Sequence, residues 1–159
     1  MEKEWLNQKE EMERILREAW VGELALSRDG EPYVVPINFT YHAGHIYFHC
    51  AFEGKKLDFL RRNPRVCFSV ARDYQIPEPH PPGVSCRTNY ESVLCYGTAR
   101  EVSDIAERKR ILDIFVKKFR DEEVPLERVR NCNAVDMTIE EMTGRRQKDQ
   151  DRIYWRHRF

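Results

Sequence analysis

The 159-residue chain lacks the features of a membrane-spanning, secreted or disulfide-stabilised protein. Its apolar runs are too short to cross a bilayer, and residues 1–20 are charged throughout, unlike a signal peptide. The five cysteines form no C-x-x-C pair, so we predict reduced thiols rather than a disulfide framework or a zinc ribbon. These absences favour a cytoplasmic protein with no membrane partner.

The chain also lacks an excess of charge of either sign. Lys and Arg together number 27, as do Asp and Glu, so the formal net charge is zero. No overall field attracts nucleic acid, and any site for an anion must therefore be local. With 41% hydrophobic and 34% charged residues, the composition is typical of one folded domain.

Sequence motifs for familiar catalytic sites are missing as well. The chain has no Walker A loop, no G-x-G-x-x-G, no G-x-S-x-G and no H-E-x-x-H. His80 and Cys86 are the only suggestion of a metal cluster, and we expect no metal site. Because no side chain is an evident acid, base or nucleophile, redox chemistry in this protein would require a cofactor.

What the chain does have is a series of short strand patterns joined by turn signals. Strands that neighbour each other in sequence favour an antiparallel barrel, so the predicted fold is mainly β with helices. Asp29-Gly30 and Ala43-Gly44 are tight-turn signals, and Asn7 with Glu10 resembles a capping box. The predicted helices cover residues 8–20, 55–60 and 125–129, with another starting at Ser103 and Asp104. Strands are predicted at 33–41, 46–50, 66–71, 91–102 and 134–139, and a proline-rich loop at 73–83. We predict that Gly144 ends a domain of residues 1–144 and that residues 145–159 form a polar tail.

Two local patterns point to a ligand. Pro36 interrupts a strand pattern, which predicts a strand that is unpaired or bulged on one side because proline donates no hydrogen bond. Gly54, Lys55 and Lys56 stand at the start of a predicted helix, where free amides and two ammonium groups would form a cradle for phosphate. The alternative is a solvated lysine pair partly offset by Asp58.

Four segments together resemble the split-barrel flavoproteins of the pyridoxamine 5′-phosphate oxidase type. They are GELAL, PYVVPINF, IYFHCAFEGKKLDFLRRNPRVCFSV and YESVLCYGTA, and they look most like the nitroimidazole-resistance (Nim) branch. The resemblance implies an antiparallel split β-barrel that binds FMN and forms a homodimer with two flavins in the interface. The end of the chain, YWRHRF, lacks the Arg-Leu-x-Pro ending of the true oxidases, which argues against vitamin B6 oxidation.

The resemblance also assigns site residues. The backbone at Pro36, Ile37 and Asn38 would lie along the flavin ring, and Gly54, Lys55 and Lys56 would face its phosphate. His49 would face the flavin as the catalytic residue, since an ordinary pKa of about 6.5 permits proton donation near neutrality. The alternative is that His49 is an ordinary strand residue. The residues expected to approach from the partner subunit are Thr88, Asn89, Tyr90 and Ser92.

The function implied is an FMN-dependent oxidoreductase that reduces a small planar acceptor such as a nitroaromatic compound. Two alternatives stay open at this point. One is a flavin-binding or redox-sensing module without turnover, and the other is a haem-handling split barrel with His49 or His80 as the ligand.

Overall fold

The computed structural model describes residues 4–76, 88–148 and 151–159, which form nine strands and four helices. The prediction of a mainly β fold with helices is confirmed. Of the described helices, none is both long enough and apolar enough to cross a membrane. The strands are β1 (Trp5–Leu6), β2 (Val21–Arg28), β3 (Glu31–Asn38), β4 (Thr40–His42), β5 (His45–Cys50), β6 (Arg65–Gln75), β7 (Asn89–Glu101), β8 (Asn133–Lys148) and β9 (Asp151–Arg158). The helices are α1 (Lys9–Glu18), α2 (Lys55–Arg62), α3 (Ile105–Lys117) and α4 (Leu126–Asn131).

The sheet follows the order β1-β9-β8-β7-β6-β2-β3, and every pairing except the short parallel contact of β1 with β9 is antiparallel. Strand β8 organises it. One edge of β8 pairs with β7, whereas the other edge pairs first with β5 (residues 133–138) and then with β9 (residues 141–148). β4 extends the sheet beyond β5, and no ladder joins β3 to β4 or β5 in the described chain. The barrel is therefore split.

Apolar side chains of alternate strand positions fill the barrel, as a period of two requires. Helix α1 adds Met12, Ile15 and Leu16 to this core, and α2 adds Leu57, Phe59 and Leu60. A second, smaller cluster forms where α3 and α4 pack outside β5 and β8. Helices α1 and α2 thus cover part of the main core, while α3 and α4 support one outer wall of the barrel.

The C-terminal part of the sheet differs from the prediction. Strand β8 does not end near Gly144 but continues to Lys148, and the predicted polar tail of residues 145–159 contains strand β9. Trp155 of β9 is fully buried in the main core. A Cβ atom on Gly144 would lie 2.7 Å from the Trp155 ring, so this glycine makes room for the ring and does not stop the strand.

Most local signals are confirmed. Asp29 and Gly30 have φ values of 49° and 83°, as a tight turn requires, and the Asp104 side chain caps α3 by accepting from Glu107 N at 2.8 Å. The capping box at Asn7 is wrong, because α1 has no side-chain cap and the Asn7 Oδ1 instead lies 3.1 Å from His157 Nδ1. The free thiols predicted are confirmed at four positions, Cys50, Cys67, Cys95 and Cys132. His80, Cys86 and most of the predicted 73–83 loop lie outside the described residues.

Candidate functional site

The split in the barrel exposes part of its core. Tyr33, Val35 and Ile37 of β3 and Cys50 of β5 all pack against the main core, yet each stays only partly buried. We call the open side of the barrel between β3 and β5 the seam. A flat ligand placed along the seam would contact apolar side chains on one side and a strand edge on the other.

Pro36 lies on the strand that forms this edge. β3 pairs with β2 in continuous register, Pro36 opposite Glu23, and in the described chain it has no second neighbour. An edge position tolerates a residue without an N–H group. The prediction that this strand is unpaired on one side is thus confirmed, and β3 has no bulge at Pro36. Asn38, at the end of β3, donates from Nδ2 to Trp20 O at 3.3 Å.

The first turn of α2 lies at one end of the seam. Gly54 precedes the helix with φ 135° and ψ 166°, and its carbonyl oxygen accepts from Leu57 N and Asp58 N. The N–H groups of Lys55 and Lys56 come before the first intrahelical bonds, so their usual partners are water or an anion. Gly54 therefore holds the backbone in an arrangement suited to an anion.

The two lysines extend to opposite sides of the seam. Lys55 Nζ lies 4.8 Å from the centre of the Tyr33 ring of β3 and 3.8 Å from Glu31 Oε1. Lys56 Nζ lies 5.5 Å from the centre of the Phe48 ring of β5. Within the described ranges, Lys56 makes no ion pair with a carboxylate, whereas the Lys55 pair with Glu31 is exposed and therefore weak. Lys56 has the less compensated charge of the two.

His49 is on β5, beside Lys56 of α2, and its ring lies edge-on to Phe115 of α3 at a centroid distance of 4.9 Å. Partial desolvation, and then the charge of Lys56, lower the pKa of His49 below its usual value. The lowered pKa favours the neutral ring in the cofactor-free chain, so proton donation by His49 stays a prediction that depends on what binds beside it. A neutral ring can accept a hydrogen bond as well as donate one.

The structure brings together only part of the predicted site. Pro36, Ile37, Asn38, His49, Gly54, Lys55 and Lys56 all lie along the seam or at its ends. Asn89, Tyr90 and Ser92 are at the start of β7 and Thr88 directly precedes it. β6 and β2 separate β7 from β3. Three strand spacings amount to roughly 14 Å. Within one chain these four residues do not reach the seam.

Sequence patterns missed two residues near the Asn38 end of the seam. The indole of Trp20 is 65% exposed and contacts Phe119 edge-on at 5.7 Å. Lys118 follows α3, and its Nζ lies 4.2 Å from the centre of the Phe39 ring. Exposure of a tryptophan and burial of a lysine both depend on tertiary packing, so neither has a signal in the sequence.

Comparisons with known proteins bear on the family and the fold. The family model described as pyridoxamine 5′-phosphate oxidase matches residues 8–146. An uncharacterised protein of Rhizobium meliloti is 33% identical over 63 residues, which are 40% of this chain and 41% of that protein. The chain thus matches less than half the length of this curated relative.

Two solved structures share both the fold and detectable sequence identity. A candidate 5-nitroimidazole antibiotic resistance protein from Bacteroides thetaiotaomicron has a TM-score of 0.78 and 28% identity, covering 87% of this chain and 84% of that one. An FAD-binding protein from Mesorhizobium loti has a TM-score of 0.65 and 27% identity, covering 89% and 96%.

Proposed function

The chain belongs to the pyridoxamine 5′-phosphate oxidase family, and we propose that it binds FMN and transfers electrons to a small planar acceptor such as a nitroaromatic compound. The observation that carries the proposal is the first turn of α2, where free amides and two lysines meet at one end of an open, partly apolar seam.

The residues at the start of α2 fit a phosphate. A dianion in contact with the amides of Lys55 and Lys56 would gain from the helix dipole and from charge-assisted hydrogen bonds. It would also compensate Lys56, which has no carboxylate partner in the described chain. The Glu31 carboxylate, 3.8 Å from Lys55 Nζ, is the nearest competitor, and solvent weakens that pair.

The edge of β3 fits the flavin ring. Polar groups of the backbone at Pro36, Ile37 and Asn38 stand on a strand with a neighbour on one side only, which leaves part of them for a planar heterocycle. When bound, the flavin would supply the electron-transfer chemistry, and the protein would supply binding, orientation and electrostatics.

His49 is the proposed catalytic residue. It extends from β5 beside Lys56, and in the cofactor-free chain burial and the charge of Lys56 lower its pKa and favour the neutral ring. Phosphate bound by Lys56 would offset the cationic neighbour, so the pKa of His49 would rise towards the range in which imidazolium donates a proton.

We propose that the site is shared between two copies of the chain. Thr88, Asn89, Tyr90 and Ser92 lie too far from the seam of their own chain to contact the same flavin. In a homodimer these residues of one copy would border the seam of the other, as the family resemblance implies.

The nitroaromatic acceptor is proposed from one relative. The protein from Bacteroides thetaiotaomicron that is 28% identical to this chain is described as a candidate 5-nitroimidazole antibiotic resistance protein. The absorbance spectrum of the purified protein is the first discriminating observation, because a Soret band in place of flavin absorbance would favour the haem alternative.

The phosphate assignment is tested by titrating FMN, riboflavin and FAD into the wild type and into Lys55→Glu/Lys56→Glu. We expect the double variant to lose affinity for FMN by a few kcal/mol, since repulsion replaces attraction at a dianion, and to keep its affinity for riboflavin. Arg110→Glu/Lys117→Glu on α3 changes the net charge equally and is the control. Unchanged FMN affinity in a double variant with an intact circular dichroism spectrum would reject the phosphate assignment. If the wild type bound FAD more tightly than FMN, FAD would be the assigned cofactor instead.

The activity is tested by anaerobic stopped-flow absorbance on chemically reduced, flavin-loaded protein. We expect a nitroimidazole to speed flavin reoxidation, and His49→Ala to slow this step while flavin stays bound. If the nitroimidazole gives no faster reoxidation than a blank, a binding or sensing module is the better description. Equal rates for His49→Ala and wild type would leave the reductase but remove the role of His49.

A further inference from the structure

Two histidines face each other across the hairpin of β4 and β5. Ala43 and Gly44 form its two-residue turn with φ values of 47° and 83°, which fixes the register so that His42 lies directly opposite His45. Directly opposite residues of an antiparallel pair have their Cβ atoms about 4.5–5.5 Å apart on the same face of the sheet. The spacing of these histidines in sequence gives no motif, and the turn is what brings them together.

A buried carboxylate orients one of the two rings. Asp136 Oδ1 lies 2.7 Å from His45 Nδ1, and Asp136 Oδ2 lies 3.3 Å from Arg100 Nη2. Arg100 is held in turn by Glu107. A carboxylate only accepts hydrogen bonds, so the proton of a neutral His45 ring belongs on Nδ1. The lone pair is then on Nε2, which points away from Asp136.

The second ring is close and accessible. The rings of His42 and His45 stack at 27° and 24° on Tyr47, with centroid distances of 6.3 and 5.7 Å. Tyr47 is buried and so provides a fixed floor, whereas His42 is exposed and one third of the His45 side chain is exposed. His42 also lines an open cleft of about 520 Å³ together with Thr40, Tyr41 and residues of α1 and α3.

We propose that His42 and His45 together bind a divalent transition metal ion of the kind that prefers imidazole, such as Zn²⁺, Ni²⁺ or Cu²⁺. A carboxylate that accepts from the far nitrogen of a ligating histidine is the usual arrangement in such sites, and Asp136 stands in that position. The site is separate from the proposed flavin site, since His45 lies at the turn end of β5 and α2 begins beyond its other end.

The rest of the coordination sphere would be water. Within the ranges that the structure describes, no group of three or more His, Cys, Asp or Glu side chains is arranged to hold a metal. Arg17, Lys117 and Lys118 line the same cleft as His42 and disfavour a cation there. We therefore expect weaker binding than at a structural site with four protein ligands.

The test is titration of tag-free, full-length protein with Cu²⁺, followed by calorimetry and electron paramagnetic resonance. We expect one saturable site whose hyperfine pattern shows two imidazole nitrogens. His42→Ala and His45→Gln should each weaken binding at least tenfold. Asp136→Asn, which keeps an acceptor but removes the charge, should weaken it by about 10-fold, the lower end of the effect of such carboxylates.

His49→Ala is the matched control, because His49 lies four residues from His45 towards the other end of β5 and should leave the Cu²⁺ affinity of the histidine pair unchanged. Circular dichroism checks that each variant folds. If His45→Gln is unstable because it loses the contact with buried Asp136, the result for His42→Ala alone decides the test. Wild-type affinity in His42→Ala, a signal from fewer than two nitrogens, or no saturable binding would overturn the proposal.

Discussion

The charge of His49 depends on a neighbour that is itself part of the proposed phosphate cradle. Lys56 stands one residue into α2, and its ammonium group adds to partial desolvation in lowering the pKa of His49. Any anion that binds Lys56 reverses the electrostatic part of this effect. Phosphate binding and the protonation of His49 are therefore coupled through a single side chain.

We predict that the pKa of His49, measured by NMR titration, lies below about 6.5 in the cofactor-free protein and rises in Lys56→Gln. Because the folded state disfavours the charged ring, this contribution to stability is present above the unfolded pKa and is lost as the pH falls towards the folded value. Inorganic phosphate or FMN should raise the pKa in the wild type. Lys55→Gln, whose ammonium group lies over Tyr33 instead, is the control and should change the value less. A pKa that is the same in wild type and Lys56→Gln would contradict the coupling.

The sequence predicts single residues of the site better than their surroundings. Gly54, Lys55 and Lys56 carry a local signal, since a glycine and two lysines at a helix start are unusual there. The direction in which each lysine extends has no such signal, because it depends on Tyr33 and Phe48 in two strands that are not paired. The neutral state of His49 depends on the same packing.

At the scale of helices and strands, Lys118 links the C-terminal ends of α1 and α3, which are about 100 residues apart in the sequence. Lys118 Nζ, just after α3, donates to the carbonyl oxygens of Ala19, Phe39 (3.1 Å) and Leu16 (3.5 Å). Two of these belong to the end of α1, whose last carbonyl groups have no partner within the helix. Burial lowers the pKa of Lys118 to about 8. The contact fixes α1 and α3 beside the Asn38 end of the seam.

We predict that Lys118→Met, which keeps the apolar stem over Phe39, lowers the free energy of unfolding at pH 7 by about 2 kcal/mol through loss of charged hydrogen bonds. Lys117→Met, on the exposed side of the same helix end, should stay within about 0.5 kcal/mol of wild type. The measurement is urea denaturation.

The difference in stability between wild type and Lys118→Met should also depend on pH. The folded pKa of Lys118, about 8, lies below the ordinary value of 10.5, so the unfolded chain binds the proton more tightly. Wild-type stability should therefore increase relative to Lys118→Met as the pH rises through this interval. If the difference in the free energy of unfolding did not change between pH 7 and pH 10, the carbonyl groups would be offsetting the desolvation of the ammonium group, and the pKa of Lys118 would not be lowered.

Elements with a local signal were predictable, and the end of the sheet was not. Asp29-Gly30 acts through its own backbone and the Asp104 side chain caps an N–H group three residues away, so the first hairpin and the start of α3 follow from the sequence. In the sequence, Gly144 looks like a glycine that ends a strand, but in the fold it leaves room for the ring of Trp155. The partner of that glycine is eleven residues away in the next strand, and its effect depends on a contact that composition does not contain.

For the whole molecule, the outer face of the barrel wall is the feature that bears on assembly. Ladder register aligns Val34, Ala25, Cys67 and Tyr96 across β3, β2, β6 and β7. The adjacent row contains Pro36, Glu23, Ser69, Leu94 and Thr143. These positions alternate with core residues and so face outward, yet Glu23 is their only charge. A wall of this composition is suited to burial against a second copy of the chain.

We predict that the protein is a dimer, with a mass by light scattering of about twice the 19.1 kDa of the chain. Leu94→Glu adds a second carboxylate to the row that already contains Glu23, so it should convert the dimer to a monomer. The same variant should lose FMN affinity with an unchanged circular dichroism spectrum, because Thr88 to Ser92 would no longer reach the seam of a partner. Leu126→Glu, at an exposed leucine of α4, is the control and should remain dimeric. A wild-type monomer that binds FMN tightly would contradict the shared site, and a dimer retained in Leu94→Glu would place the interface on another face.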